Sequence, residues 1–103
     1  NVFEYSMNHF TQEISLDAIS KIANMTKNAF CKYFKKRTNK TYFQFLTELR
    51  IDHACKLLIK QKETPIASIA EQCGYNNISN FNRQFQTHKH QSPTDFKNSY
   101  RKD

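Results

Sequence analysis

Amide and cationic side chains recur at helical spacing in the segment that follows Thr26. Asn28, Lys32 and Lys35 lie at positions i, i+4 and i+7, so a helix would present them on one face. Asparagine can pair with both hydrogen-bonding groups of adenine, and lysine can donate to guanine. An ordinary solvated helix face mixes Glu with Lys, but residues 26–40 contain no acid. We predict a DNA-binding face formed by Lys27, Asn28, Cys31, Lys32, Lys35, Lys36 and Arg37.

A second segment of the same character follows Gln72. Asn76, Asn80, Arg83 and Thr87 fall on one helical stripe, and residues 72–94 again contain no acid. Arginine suits bidentate pairing with guanine, and the asparagines suit adenine. The candidate DNA-binding residues here are Asn76, Asn77, Ser79, Asn80, Arg83 and Thr87.

The overall charge agrees with a polyanionic partner. Sixteen Lys and Arg face nine Asp and Glu, for a formal net charge of +7 over 103 residues. Composition alone is equally compatible with an ordinary basic protein, and the two acid-free segments favour DNA. We therefore predict double-stranded DNA as the partner.

Other classes of function find little support. Cys31, Cys55 and Cys73 are odd in number and widely spaced, which predicts reduced cytosolic thiols without a disulfide framework or zinc site. The four histidines form no metal-ligand spacing with acids or cysteines. No apolar run is long enough to span a membrane. We expect no enzyme, cofactor or metal.

Helices must position these side chains, since one Gly and two Pro are too few for a strand-and-turn fold. Thr64-Pro65 and Ser92-Pro93 each predict an N-cap followed by Pro at the first helical position. Ser15 and Thr26 are further N-cap candidates. Gly74 should adopt the left-handed conformation that ends a helix. Periodicity predicts seven helices and no strand.

The helical pattern repeats. Residues 16–25 form a short apolar stretch and a turn at Asn24, and a helix with Phe30 and Phe34 follows. Residues 66–75 repeat this with a turn at Gly74, and the helix that follows carries aromatics at the same spacing. This arrangement is typical of a helix-turn-helix, here present twice.

A long helix from Thr41 to Lys60 separates the two patterns. At about 1.5 Å per residue it would span roughly 30 Å, close to one turn of DNA at about 34 Å. It is compatible with a rigid spacer and also with a core helix packed by both halves. We divide the chain into a first subdomain at 1–40, a linker helix at 41–60 and a second subdomain at 61–103.

Specific motifs identify a family resemblance. The chain carries Gly74-Tyr75, then Phe81-x-Arg83-x-Phe85, then Ser92-Pro93-x-x-Phe96, and it also carries Phe34-Lys35-Lys36, Leu49-Arg50 and Ala54-x-x-Leu57-Leu58. In these residues it resembles the DNA-binding domain of the AraC/XylS family of bacterial transcription regulators. The resemblance implies an all-α fold of two homeodomain-like helix-turn-helix subdomains, with both recognition helices in successive major grooves.

The resemblance implies further properties, among them a location in the bacterial cytoplasm with the nucleoid. Base contacts would come from Asn28, Cys31 and Lys32 and from Ser79, Asn80 and Arg83. Family members are more often activators, with RNA polymerase as a further partner, and often carry an N-terminal sensory or dimerisation domain. With no initiating Met, the chain is expected to be a fragment that lacks this domain. The family usually has Gly where Asn39 and His90 stand; Asn39 can take the left-handed conformation, and we expect a differently built turn at His90.

Two alternative functions remain open. A non-specific architectural DNA binder would contact phosphates, and the amides and Arg83 would then serve no purpose in reading bases. A helical protein-interaction module would bind its partner with little dependence on salt, whereas phosphate contacts make DNA affinity fall steeply with salt.

Overall fold

The described part of the chain is entirely helical. The computed structural model describes residues 1–100, and they contain seven α-helices and no strand, so the predicted all-α class is confirmed. The helices are α1 (Val2–His9), α2 (Leu16–Ile22), α3 (Lys27–Thr38), α4 (Tyr42–Lys60), α5 (Ile66–Gln72), α6 (Ile78–Lys89) and α7 (Pro93–Ser99).

The described residues fold as two compact units, residues 1–49 and residues 50–100. Helix α4 is continuous and contributes residues to both. Each unit contains a helix-turn-helix pair, α2 with α3 and α5 with α6. The division at 1–40, 41–60 and 61–103 stays a prediction.

Aromatic rings dominate the core of the first unit. Its buried residues are Ile14, Ile19, Phe30, Phe34, Tyr42 and Leu46. The ring of Phe34 lies 5.6 Å from that of Phe30 and 5.4 Å from that of Tyr42, between centroids. The Tyr42 hydroxyl is 2.7 Å from the buried Ser6 hydroxyl, so both polar groups are hydrogen-bonded inside the core. This packing fixes the inner face of α3 against α4.

Aromatic rings also pack in the core of the second unit. Its core consists of Ile51, Ala54, Leu58, Ile69, Ala70, Cys73, Tyr75, Phe81, Phe85 and Phe96. The ring of Phe85 packs between Phe81 and Phe96, at centroid distances of 5.8 Å and 5.6 Å. The Arg50 guanidinium lies 5.6 Å from the centroid of the Tyr75 ring, in range for a cation–π contact. The inner face of α6 therefore packs against the core of its unit, as that of α3 does.

Side-chain caps begin most of the helices as predicted. Ser15, Thr26 and Ser92 accept from the backbone N–H three residues ahead, at 3.0, 3.2 and 3.0 Å. The prediction for Thr64 was wrong. Helix α5 begins at Ile66, and Pro65 is its N-cap in extended conformation (ψ 149°) with no side-chain cap. The proline carbonyl accepts from Ser68 and Ile69, so the helix starts one residue later than its hydroxyl–proline pair indicated.

The internal repeat is confirmed and nearly exact in length. Helices α2 and α5 have 7 residues each and are offset by 50, whereas α3 and α6 have 12 residues each and are offset by 51. The turn inside the second pair is thus one residue longer. An offset of 51 therefore relates equivalent positions of α3 and α6.

Left-handed residues end four of the helical segments. Asn24 (φ 61°), Asn39 (φ 63°) and Gly74 (φ 97°) take this conformation as predicted. His90 also takes it (φ 61°, ψ 23°), so the expectation of a differently built turn was wrong. Its N–H donates to the Gln86 carbonyl at 2.8 Å. Histidine is one of the non-glycine residues enriched at positive φ, and this hydrogen bond offsets part of the steric cost.

Replacing His90 by Gly should stabilise the protein by about 0.5–1 kcal/mol, because Gly has no Cβ to clash at positive φ. His88→Gly is the matched control. The same replacement inside α6 should destabilise by about 0.5–1 kcal/mol, because Gly is a poor helix residue. Urea unfolding followed by circular dichroism measures both. Two changes of the same sign would contradict the left-handed assignment of His90.

Candidate nucleic-acid interface

The outward side of α3 is defined by what it buries. Phe30 and Phe34 are 0% and 1% exposed, and at 3.6 residues per turn they fix the direction of the core. Asn28, Lys32 and Lys35 lie within about 60° of the opposite direction, and all three are exposed. Lys36 shares this side, and Cys31 lies on its flank, also exposed. The structure thus brings together five of the seven predicted residues of this segment.

Lys27 and Arg37 do not belong to this face. Both lie about 140° around the helix from its outward direction. The ammonium of Lys27 is 3.5 Å from the Asp17 carboxylate. Arg37 lies with Tyr33 beside a surface groove of about 500 Å³, which Ile22 and Met25 also line. These two cations can add to the general positive potential but are turned away from Lys32.

The cations on the outward faces lack acidic partners. Within residues 1–100, the side-chain ion pairs join Lys27 to Asp17, Lys40 to Glu48 and Lys89 to Asp52. None involves Lys32, Lys36 or Arg83. Lys35 lies in the last turn of α3, where a cation favours the helix dipole, and its ammonium is 3.4 Å from the Asn39 carbonyl. The positive charge of these faces remains available to phosphate.

The outward side of α6 carries one cation flanked by hydroxyl side chains. Phe81 and Phe85 are both 0% exposed, and Arg83 lies opposite them. Ser79 and Thr87 are exposed beside it. The Thr87 hydroxyl donates to the Arg83 carbonyl at 2.9 Å, which leaves its oxygen able to accept. Ser79, Arg83 and Thr87 therefore form one surface.

Asn76 and Asn77 lie before α6 and not on it. Both are exposed. Asn77 is the N-cap, and its Oδ1 accepts from the Asn80 backbone N–H at 2.9 Å. Bidentate pairing with adenine needs the amide oxygen and the amide nitrogen together. While Asn77 caps the helix, one of the two lone pairs of its oxygen is occupied, so bidentate pairing would compete with the cap.

Asn80 lies at the edge of the α6 face, half-buried, and is engaged by Arg83. The guanidinium Nη2 donates to Asn80 Oδ1 at 2.7 Å. Residues at i and i+3 are neighbours on a helix surface, so this pair is local to α6.

The repeat identifies two residues that inspection of the sequence missed. An offset of 51 pairs Cys31 with Asn82 and Lys35 with Gln86. Asn82 and Gln86 are exposed, and Gln86 lies within about 60° of the outward direction of α6. The signal was present in the aligned repeat, which places amides at the positions equivalent to Cys31 and Lys35, both already nominated in the first helix.

The three thiols differ in exposure. Cys31 is exposed, Cys55 is half-buried and Cys73 is buried. Burial raises the pKa of the Cys73 thiol to about 12 and also raises the pKa of Cys55. Since the thiolate is the reactive form, these two cysteines behave as core residues. Among residues 1–100, no cluster of three His, Cys, Asp or Glu could hold a metal ion, and no helix is long and apolar enough to cross a membrane.

Comparison with known proteins decides the family. A family model described as a helix-turn-helix domain matches residues 19–99, which include both helix-turn-helix pairs. The chain belongs to the AraC-type helix-turn-helix family. This is a family of DNA-binding domains of transcription regulators and not of enzymes. The resemblance inferred from the motifs around Gly74 and Phe96 is thereby confirmed.

Relatives named as regulators share this AraC-type domain at modest identity. The chain is 29% identical over 89 residues to the uncharacterized HTH-type transcriptional regulator YdeC of Bacillus subtilis, covering 86% of the chain and 30% of that protein. It is 30% identical over 90 residues to the probable transcriptional regulator LumQ of Photobacterium leiognathi, covering 87% and 36%. A regulator of Pseudoalteromonas carrageenovora is 29% identical over 100 residues, covering 97% and 58%. The chain thus spans 30–58% of these relatives' length.

Solved structures show the same AraC-type fold. The C-terminal domain of AraT, a response regulator from Geobacillus stearothermophilus, superposes with a TM-score of 0.90 at 24% identity, covering 99% of this chain and 84% of that one. The DNA-binding domain of AdpA, solved in complex with a target DNA, gives a TM-score of 0.90 at 21% identity, covering 97% and 89%. At these identities the likeness concerns the fold.

Iodoacetamide at pH 8 should modify Cys31 well before the other two cysteines of the native chain. Cys31 is exposed, whereas burial and a raised pKa leave Cys55 and Cys73 with little accessible thiolate. Peptide mass spectrometry over time measures the order, and Cys31→Ser should remove the fast reaction. Rapid labelling of Cys73 would contradict the buried core of the second unit.

Proposed function

We propose that this chain is the DNA-binding part of a transcription regulator and that it recognises double-stranded DNA sequence-specifically through the outward faces of α3 and α6. The observation that carries this proposal is common to both helices. In each, a buried phenylalanine pair fixes the inner side, and the opposite side carries amides and cations without an acid. Groove entry by the second helix of a helix-turn-helix needs such a face.

The outward faces of α3 and α6 differ in charge and in hydrogen-bonding groups. Helix α3 presents three lysines, Lys32, Lys35 and Lys36, which suit phosphates and guanine edges. Helix α6 presents one cation, Arg83, among Ser79, Gln86 and Thr87. We propose that α3 supplies more of the affinity and α6 more of the discrimination between sequences.

Each recognition helix would enter a major groove of its own. The length of α4, 19 residues or about 28 Å, supports the proposal that the DNA site contains two short motifs about one helical turn apart. We also propose that the whole protein carries a sensory or dimerisation domain, because the relatives are longer than the part matched here. A chromosomal site implies the bacterial cytoplasm. Activation through RNA polymerase stays a prediction of the family resemblance.

Selection from a randomised duplex library, followed by competition between the selected duplex and a scrambled one, tests this function. Sequence-specific recognition predicts tighter binding of the selected duplex by about 10³-fold or more. Equal affinity for both duplexes would contradict it and favour an architectural binder. Binding of the selected duplex that does not weaken between 50 and 200 mM salt would contradict any phosphate-dependent mode.

Two substitutions should separate base contact from phosphate contact. Arg83→Ala should weaken binding of the selected duplex by about 1–3 kcal/mol and relax the preference at one base pair, because a bidentate base contact is lost. Lys35→Ala should weaken all duplexes alike and reduce the slope of log K against log salt by about 1. Titrations at several salt concentrations measure both effects.

Lys62→Ala is the matched control for charge. Lys62 is exposed in the turn between α4 and α5 and belongs to neither recognition helix. Removing it lowers the net charge by the same amount as Lys35→Ala and should change the salt slope much less. If Lys62→Ala and Lys35→Ala gave the same slope, the assignment of Lys35 to the interface would fail.

A further inference from the structure

We propose that Asn80 positions Arg83 for a guanine and does not itself pair with adenine. This inference rests on the proposed function, since it concerns how the α6 face discriminates between bases. It replaces the pattern-based expectation for Asn80 with a role that depends on its neighbour. Asn80 is a positioning residue and Arg83 the reading residue.

The contact geometry supplies the first step. The Arg83 Nη2 donates to Asn80 Oδ1 at 2.7 Å, a short hydrogen bond for a charged donor. The Asn80 backbone N–H is held by the Asn77 side chain at 2.9 Å. Phe81, the next residue, is fully buried. The backbone at Asn80 is therefore held by the helix cap and by the buried neighbour Phe81. The hydrogen bond from Arg83 to Asn80 in turn restricts the motion of a guanidinium that is otherwise exposed.

The hydrogen-bonding capacity of the two side chains supplies the second step. Pairing with adenine would need the Asn80 oxygen as acceptor, and Arg83 already occupies one of the two lone pairs of that oxygen, so adenine would compete with Arg83 for the orientation of the amide. Arginine has five N–H donors in a planar fork. After one donation to Asn80, it retains two outward donors for O6 and N7 of guanine. Because the guanidinium is already held in place, Arg83 loses less conformational entropy on binding DNA than an unrestrained arginine would.

The repeat within the chain provides an internal comparison. At an offset of 51, Arg83 corresponds to Lys32 and Asn80 to Ala29. Ala29 has no acceptor, so nothing at this position orients Lys32. Lysine is also a flexible point charge without a fork. The pair is specific to α6, which agrees with α6 as the more discriminating helix.

The test is a selection from one randomised duplex library with four proteins: the chain itself, Asn80→Ala, Arg83→Ala and the double variant. Arg83→Ala should remove a guanine preference of about 5- to 150-fold at one base pair. Asn80→Ala should reduce the preference at that same base pair by about 2- to 10-fold, the range expected for one hydrogen bond. The double variant should match Arg83→Ala, because Asn80 acts only through Arg83.

Asn80→Asp is the conservative variant. Its carboxylate keeps an acceptor at the same place, so the guanine preference should stay within about twofold of that of the unmodified chain. The Nε–H of Arg83 gives a readout in the absence of DNA. Its ¹⁵N relaxation should show greater mobility in Asn80→Ala and not in Asn80→Asp. Alanine favours helix more than asparagine does, so Asn80→Ala should keep the fold, which urea unfolding verifies.

Each contrary outcome has a distinct meaning. If Asn80→Ala changed the preference at a base pair that Arg83→Ala leaves intact, Asn80 would contact a base itself and the inference would be overturned. If Asn80→Ala changed nothing while Arg83→Ala removed the guanine preference, positioning would be refuted and the proposed function would stand. If the unmodified chain enriched no motif, the proposed function would fail first, and this inference with it.

Discussion

In each unit, two phenylalanines four residues apart hold the second helix against the core, and the remaining features of the candidate interface depend on this packing. Phe30 and Phe34 pack with Tyr42 in the first unit, and Phe81 and Phe85 pack with Phe96 in the second. Burying such rings is worth several kcal/mol, and their loss from a core costs about 3–5 kcal/mol. This packing fixes the rotation of each helix about its axis. A rotation of one residue position would carry Lys32 or Arg83 to the flank.

The ends of these helices are controlled as closely as their faces. Thr26 and Asn77 cap the N-termini of α3 and α6, and left-handed Asn39 and His90 end them after 12 residues each. Because the two helices agree in length and in the spacing of their buried rings, positions related by an offset of 51 lie at equivalent places on the two helices. The differences between the units then lie in chemistry. Lys32 and Lys35 of α3 correspond to Arg83 and Gln86 of α6. Ala29 corresponds to Asn80, so Arg83 has a hydrogen-bonding partner that Lys32 lacks.

Much of this could be predicted from the sequence because the determinants are local. Apolar spacing defined the seven helices, the hydroxyl caps at Ser15, Thr26 and Ser92 fixed three starts, and Asn24 and Gly74 marked the turns. Where local rules competed, prediction failed. Pro65 and not Thr64 is the N-cap of α5, since an extended proline can itself occupy the cap. His90 adopts a left-handed conformation because the end of α6 requires one. The Asn80–Arg83 pair was not predictable, since either side chain could equally face DNA; the aligned repeat could have revealed Asn82 and Gln86.

The most direct test of the account is the mapping of amide chemical shifts of the ¹⁵N-labelled chain as a selected duplex is added. The account predicts that the largest changes fall on the outward residues of α3 and α6, among them Asn28, Lys32, Ser79 and Arg83. The exposed Met7 of α1 and Ile59 of α4, which lie outside both recognition helices, should change little. Large changes centred on α1 or α7, with α3 and α6 unaffected, would contradict the central claim that the buried phenylalanine pairs present the opposite faces of these two helices to DNA.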